Sequence, residues 1–374
     1  MIHRSTGDVA VVGAGLAGCE AALVLARLGF AVDLYEMRPD RMTPAHKTGL
    51  PAELVCSNSL KTDCLPSAHG LLKSELALLG SPMMRIAQEN RVPAGSALAV
   101  DRDAFAAGVL DALMRESTIR LMRREITAPP ADKPCLIAAG PLAADSLTNW
   151  LAATFGSHSL SFYDAIAPII AADSIDISVA FFGARRRPDN TDYLNCPFSE
   201  EEYRRFYDEL TEADRVQAHD FEKERFFEAC LPVEVIAQRG YRALTFGALR
   251  PVGLDDPGTG RRPFAVCQLR REDRAGTAYN LVGFQTRLTV GAQKRVFRLI
   301  PALENAEFLR YGSIHRNTYL DSPVLLNGDL SFKALPHCFL AGQLCGNEGY
   351  TESVATGHLA ALFIAARIRG RSLG

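Results

Sequence analysis

The chain has 374 residues, 48% of them apolar and 22% charged, and a net charge of −2. At roughly 150 residues per domain it holds two or three domains, or one large one with an insertion, and its ordinary soluble composition argues against wholesale disorder. No apolar run reaches the ~18 residues of a membrane span, and nine cysteines without a CxxC pair read neither as a disulfide framework nor as a metal site, so a cytoplasmic protein with reduced thiols is expected.

In chain order, a short polar lead without the apolar core of a signal peptide runs into an apolar strand pattern, Val9–Val12. Gly13-Ala14-Gly15-Leu16-Ala17-Gly18 follows, then an Ala- and Leu-rich helical pattern from Cys19 to Leu28 and a second strand pattern, Ala31–Tyr35, ending at Glu36. This is one βαβ unit. Met37–Ser67, punctuated by four prolines, reads as a long loop, and a loop of that length in a compact domain is usually functional. Helical patterns at Gly70–Leu79 and Asp103–Glu116 flank a stretch read as extended; Ile119–Ile126 and Cys135–Ala139 read as strands. Ser199-Glu-Glu-Glu202 has capping-box spacing and predicts a helix start, and strands are expected at Phe264–Leu269, Tyr279–Gln285 and His337–Ala341 before a last helix over Thr351–Arg367. The expected fold class is α/β. A Rossmann-like nucleotide-binding domain, a parallel sheet with helices, takes residues 1–155 plus 332–374, interrupted by a mixed α+β insertion over 156–331.

Charge is unevenly spread. Ser199–Glu228 holds eleven acids against five bases, and Arg239–Arg316 fourteen bases against six acids. A basic segment in a neutral protein can meet phosphates, and within it Arg270 and Arg271 are the expected phosphate contacts. The alternative for that pair is salt bridges to the acidic segment.

The strongest motif is Gly13-x-Gly15-x-x-Gly18 between a strand and a helix, answered by an acid at Glu36, eighteen residues after Gly18. Gly13 allows the tight turn, Gly15 lets backbone approach a pyrophosphate, and Gly18 lets helix and sheet pack closely. The helix start offers N–H groups to phosphates, and the Glu36 carboxylate suits ribose hydroxyls but repels a 2′-phosphate, which favours FAD or NAD over NADP. Gly342-Gln343-x-x-Gly346, after a strand pattern and before the last helix, is similar to the flavoprotein segment that aims a helix start at the isoalloxazine ring. One fingerprint in the chain fits one resident FAD. Among the cysteines, Cys19, Cys135, Cys267 and Cys338 fit core positions, whereas Cys56 and Cys230 sit in polar or Pro-bounded surroundings where a thiol can react.

The residues of many ordered blocks, among them Gly13–Gly18, Tyr35-Glu-Met-Arg38-Pro39, Glu53–Leu60, Leu98–Arg102, Phe226–Pro232, Gly283–Thr286, His315-Arg316-Asn-Thr318 and Glu348-Gly-Tyr350, resemble the bacterial folate- and FAD-dependent tRNA (uracil-5-)-methyltransferases over nearly the whole chain. The resemblance implies methylation of a T-loop uridine of tRNA to 5-methyluridine, with FAD as cofactor and methylenetetrahydrofolate and NAD(P)H as co-substrates. It implies Cys230 as the nucleophile at C6 of the base, Cys56 as its partner, Arg38 as part of the cofactor site, and Tyr350, His315 and Arg316 on the folate or substrate side. It also makes this chain a short member, without the usual C-terminal tail. The alternatives are the same chemistry on ribosomal RNA or another pyrimidine, or a flavin-bound RNA-binding protein without turnover; oligomeric state is left open.

Overall fold

A computed structural model describes residues 7–156, 159–185, 190–216 and 231–371, with backbone only at 159–164 and 316. The first part of the chain runs β1 (Val9–Val12), α1 (Leu16–Arg27), β2 (Val32–Glu36), β3 (Ser59–Thr62), α2 (Ala68–Leu78), α3 (Pro82–Glu89), β4 (Arg91–Val92), β5 (Ala97–Val100), α4 (Arg102–Arg115), β6 (Ile119–Arg123), β7 (Cys135–Ile137) and α5 (Asp145–Phe155). The middle holds β8 (Ser159–Ile166), β9 (Ile169–Ala171), β10 (Phe181–Phe182), β11 (Tyr193–Phe198), α6 (Glu200–Glu212), α7 (Val233–Ala237), α8 (Ala243–Phe246), β12 (Ala265–Arg271), β13 (Ala278–Leu281), α9 (Val290–Phe297), β14 (Phe308–Arg310) and β15 (Ser313–Leu320). α10 (Ser322–Leu325), β16 (Cys338–Leu340) and α11 (Tyr350–Ile368) close the chain.

The first sheet is parallel, in the order β16-β7-β1-β2-β6, with Val9 opposite Val32 and Ala10 opposite Cys135. A parallel sheet is covered on both faces, which is why all of Val9–Val12 is buried without alternation. One apolar cluster, under α1, α3, α4 and α11, covers one side, and a second, including Leu147, Leu151 and Phe332, covers the other. The α/β class read from the sequence is the fold observed. β16 arrives from the far end of the chain and pairs with β7, so the sheet is completed only after the middle segment has been built.

The second sheet is antiparallel, β10-β11-β12-β13-β9-β14. Leu194, Cys196, Cys267, Leu269, Tyr279 and Leu281 point to its own apolar cluster with Phe206, Val296 and Phe297 of α6 and α9. By the two-residue strand period, Asn195, Gln268, Arg270 and Asn280 fall on the opposite face, and all four are buried. β8 and β15 form an eight-pair antiparallel ribbon.

Several local readings differ, the strands expected over Ile119–Ile126 and Cys135–Ala139 ending at Arg123 and Ile137. Pro82–Glu89, expected as extended, is a helix: Ser81 accepts from the Met84 N–H and Pro82 occupies the first turn, where its missing donor costs nothing. Ser59–Thr62, expected as loop, pairs with Ala97–Val100. The strand expected over Tyr279–Gln285 ends at Leu281, before Gly283 at φ +80°. The Ser199 capping box is formed, with hydroxyl and Glu202 carboxylate each bonding the other's backbone N–H.

Candidate active site

The site is built around the β1–α1 turn. Gly13 holds φ +100°, and a Cβ there would lie 2.5 Å from the Ala138 carbonyl; a Cβ on Gly18 would lie 1.9 Å from the Gly13 carbonyl. Both glycines are therefore required by the turn and the strand–helix packing. Gly15 differs, since a Cβ there meets nothing within 4 Å. The N–H groups of Gly15, Leu16 and Ala17 have no acceptor among the described residues. Open space beside bare helix N–H groups can seat an anionic group.

Glu36 ends β2, buried, with one carboxylate oxygen accepting from the Ala14 N–H (2.9 Å) and the other from the Arg38 N–H and Nε (3.0 and 2.9 Å). Burial alone would raise its pKa, but the Arg38 hydrogen bond and charge outweigh that and hold the carboxyl below its ordinary value. Arg38, also buried, reaches Glu53 at 3.2 Å, and Glu53 accepts from Lys47 N, Thr48 N and Thr48 Oγ1. This compensated network pins the start of the long loop against the dinucleotide turn. His46 stands beside it. Thr43 Oγ1 accepts from the Ala45 and His46 N–H groups and lies 2.6 Å from His46 Nδ1, so the hydroxyl proton is left to bond a neutral ring. Burial, then the Arg38 charge, depresses the His46 pKa to about 4.

Two cavities meet here. One is lined by Gly13, Gly15, Glu36, Arg38, Gly140 and Gly342, together with Gln343 and Tyr350. The other is lined by Cys56, Ser57, Arg270, Asn280, Gln285 and Glu348, again with Gln343 and Tyr350. Gly342 takes φ +78° and Gly346 φ +88° around the Gln343–Cys345 turn, which leads into α11 with Tyr350 as its first residue. Tyr350 Oη accepts from Cys56 N (3.0 Å) and Ser57 N (3.4 Å) and lies 2.8 Å from Cys56 Sγ. Burial, with the Cys56 sulfur nearby, pushes the Tyr350 pKa well up, so the phenol keeps its proton. With its oxygen accepting two N–H groups, the O–H is free to donate to the sulfur.

The segment carrying Cys56 is held from both sides. Arg102 donates to the Leu54 carbonyl (2.7 Å) and to Glu272 (2.5 Å). Arg270 is buried and donates to Asn58 Oδ1 (2.8 Å) and Ser57 Oγ (2.9 Å), and Asn58 Nδ2 donates to the Arg271 and Val100 carbonyls. Arg270, expected at phosphates or in salt bridges to the acidic segment, is thus 7% exposed and fixes the loop beside Cys56, and among the described residues it makes no salt bridge to that segment. Arg271 is half-buried and its Nε has no partner among the described residues.

The structure thus brings Gly13, Gly15, Leu16, Ala17, Glu36, Arg38, Gly342, Gln343, Cys56 and Tyr350 into the lining of the two cavities; Ala14 and Gly18 belong to the same turn without lining either, and Gly346, beside Tyr319 and Leu320, also lines neither. His315 is on β15, 2.9 Å from Ser313 Oγ, and lines neither cavity; burial, then Arg310, lowers its pKa. The side chain of Arg316 and all of Cys230 lie outside the described residues. Cys19, Cys135, Cys267 and Cys338 are fully buried as expected, and burial pushes their pKa values up. Sequence reasoning missed Arg102, His46 and Asn280. The readable signal for Asn280 was a polar residue between Tyr279 and Leu281 in a strand whose alternate positions are apolar.

No group of three or more potential metal-ligating side chains, and no helix long and apolar enough to cross a membrane, occurs among the described residues. The sequence pattern of the family described as glucose inhibited division protein A matches residues 8–372. Among curated relatives, the methylenetetrahydrofolate--tRNA-(uracil-5-)-methyltransferase TrmFO of Oleidesulfovibrio alaskensis is 54% identical over 98% of this chain and 83% of its own. The enzyme of the same name from Heliobacterium modesticaldum is 53% identical over 97% and 83%. Among solved structures, Aquifex aeolicus GidA superposes with a TM-score of 0.74 at 15% identity, over 100% of this chain and 65% of that one, just under two-thirds of its length. At that identity the likeness concerns the fold.

Proposed function

We propose that this chain, which belongs to the glucose inhibited division protein A family, is a flavin- and folate-dependent tRNA (uracil-5-)-methyltransferase making 5-methyluridine in the T-loop. FAD is the resident cofactor, methylenetetrahydrofolate the one-carbon donor and NAD(P)H the reductant. When bound, FAD supplies the redox and one-carbon chemistry that side chains lack. The chain's own residues bind, orient and activate. Gly13 to Gly18 would hold the pyrophosphate on the bare helix N–H groups, Glu36 and Arg38 the ribose end, and Gly342, Gln343 and Gly346 the ring end. Tyr350 would meet pterin or base, with His315 and Arg316 on β15 forming the outer part of that site.

In this reading the Cys230 thiolate adds to C6 of the uracil, which makes C5 nucleophilic; a soft sulfur nucleophile both adds there and leaves again. Cys56 is its partner, removing the C5 proton or guarding the other thiol, and the Tyr350 hydroxyl tunes it. Residues 1–155 and 332–374 would form the FAD-binding domain and 156–331 the substrate domain of a cytoplasmic protein. The observation that carries the reading is Cys56 in a cavity that shares Tyr350 and Gln343 with the dinucleotide cradle. The test is incubation with unmodified tRNA, ribosomal RNA, labelled methylenetetrahydrofolate and NADPH, followed by nuclease mapping. Label in T-loop 5-methyluridine is expected. Label in ribosomal RNA alone would replace the substrate, and no label in either would sink the reading.

A further inference from the structure

The face of the second sheet turned away from its apolar cluster carries a row of buried polar side chains. Asn195 donates to the Phe181 and Gly183 carbonyls (3.1 and 3.0 Å). Gln268, opposite it in register, donates to Asn195 Oδ1 (2.9 Å). Arg270, next along β12, is spent on Ser57 and Asn58. Asn280, opposite Arg270 on β13, breaks the series. It is only 3% exposed, its Nδ2 is buried without a partner, and its side chain makes no hydrogen bond among the described residues. A buried amide left this way costs about 1–3 kcal/mol, and native structures seldom retain one without a use. Asn280 lines the cavity that also holds Cys56 and Tyr350.

We propose that Asn280 is a specificity-determining residue, whose amide reads the lactam edge of a flat heterocycle held in the Cys56 cavity. A primary amide presents a carbonyl acceptor beside an N–H donor, the complement of a ring N–H beside a ring carbonyl. Resting on the function proposed above, two rings bring that edge to the site: the uracil base and the pterin of the folate. A site that keeps a desolvated amide for such an edge binds poorly once the amide is gone, because the ring's own polar edge is then buried unpaired.

The decisive variant is Asn280→Leu, close in size and apolar. It removes the orphaned amide, so the Tm of the protein should stay level or rise and FAD content should be unchanged, whereas an amide serving the fold would lower the Tm. Two arms separate the rings: tetrahydrofolate affinity by fluorescence quenching, and tritium release from RNA carrying [5-³H]uridine. A loss of roughly 100-fold or more in tritium release at unchanged tetrahydrofolate affinity assigns the edge to uracil. A comparable loss of tetrahydrofolate affinity assigns it to the pterin. Should Asn280→Leu not fold, Asn280→Ser, smaller and still polar, carries the same two arms. Both quantities staying within threefold of an active wild type, or a lowered Tm in both variants, overturns the proposal alone; a wild type inactive in both arms overturns the functional reading and this proposal with it.

Discussion

At Gly15 and Gly18 the same residue type answers two different demands. A side chain on Gly18 collides with the Gly13 carbonyl, so Gly18→Ala should destabilise the fold by about 1–3 kcal/mol, measured by urea unfolding of the apo protein. A side chain on Gly15 collides with nothing in the protein, so Gly15→Val should fold normally yet purify colourless; a full complement of FAD in that variant would move the cofactor elsewhere. His46 sets a pH dependence of its own. Its folded pKa of about 4 lies below the ordinary 6.5, so between those values the unfolded chain binds a proton that the folded one excludes. Stability is whole above pH 6.5 and falls as pH drops through the window, by up to about 1.4 kcal/mol per pH unit. His46→Gln should flatten that slope in urea titrations, and an unchanged slope would assign it to other groups.

Among the helices, α1 and α11 pack closely, since a Cβ on Gly357 would sit 2.3 Å from the Ala17 carbonyl. Between them Glu20 is wholly buried, bonding His358 Nδ1 (2.7 Å) and accepting from Met83 N (3.0 Å) at the start of α3. One carboxylate thus ties three helices, and Glu20→Ala leaves an imidazole and a backbone N–H unpaired. A loss of about 1–3 kcal/mol in urea unfolding is expected, with lowered flavin content because α11 begins at Tyr350. Much at this scale was legible in the sequence: the glycine spacing, the Ser199 capping box and the long helices are local signals. Pro82–Glu89 differs from its extended reading although Ser81-Pro82 is a start signal, because a two-turn helix carries little periodicity of its own. Cys56 and Tyr350 stood out as residues, but their pairing spans 294 positions, and no periodicity encodes a contact made by the closing of a sheet. Arg270 misled for the same reason: its charge is visible in the sequence, but its burial against Ser57 and Asn58 depends on which strand face meets the loop.

Across the molecule, the dinucleotide-binding elements and the second sheet each have an apolar cluster, while several of the bonds joining them are polar: Arg102 to Glu272, Arg270 to Ser57 and Asn58, Tyr193 to the Ala94 carbonyl. Such a junction depends on a few charged side chains. Arg270→Ala should therefore speed amide exchange over Val55–Asn58, while the salt dependence of RNA binding keeps its slope. Loss of a phosphate contact would instead make the slope shallower by roughly 0.7 to 0.9, and that outcome would put the arginine back in the RNA footprint.

Tyr350 and Gln343 form a wall common to both cavities, so two guests bound there cannot ignore each other. Each guest packs against the same two side chains, so each alters the surface that the other meets. Such coupling is reciprocal: whatever factor the cofactor adds to the second guest's affinity, that guest returns to the cofactor. The protein would then hold its resident FAD most tightly when the other chamber is filled.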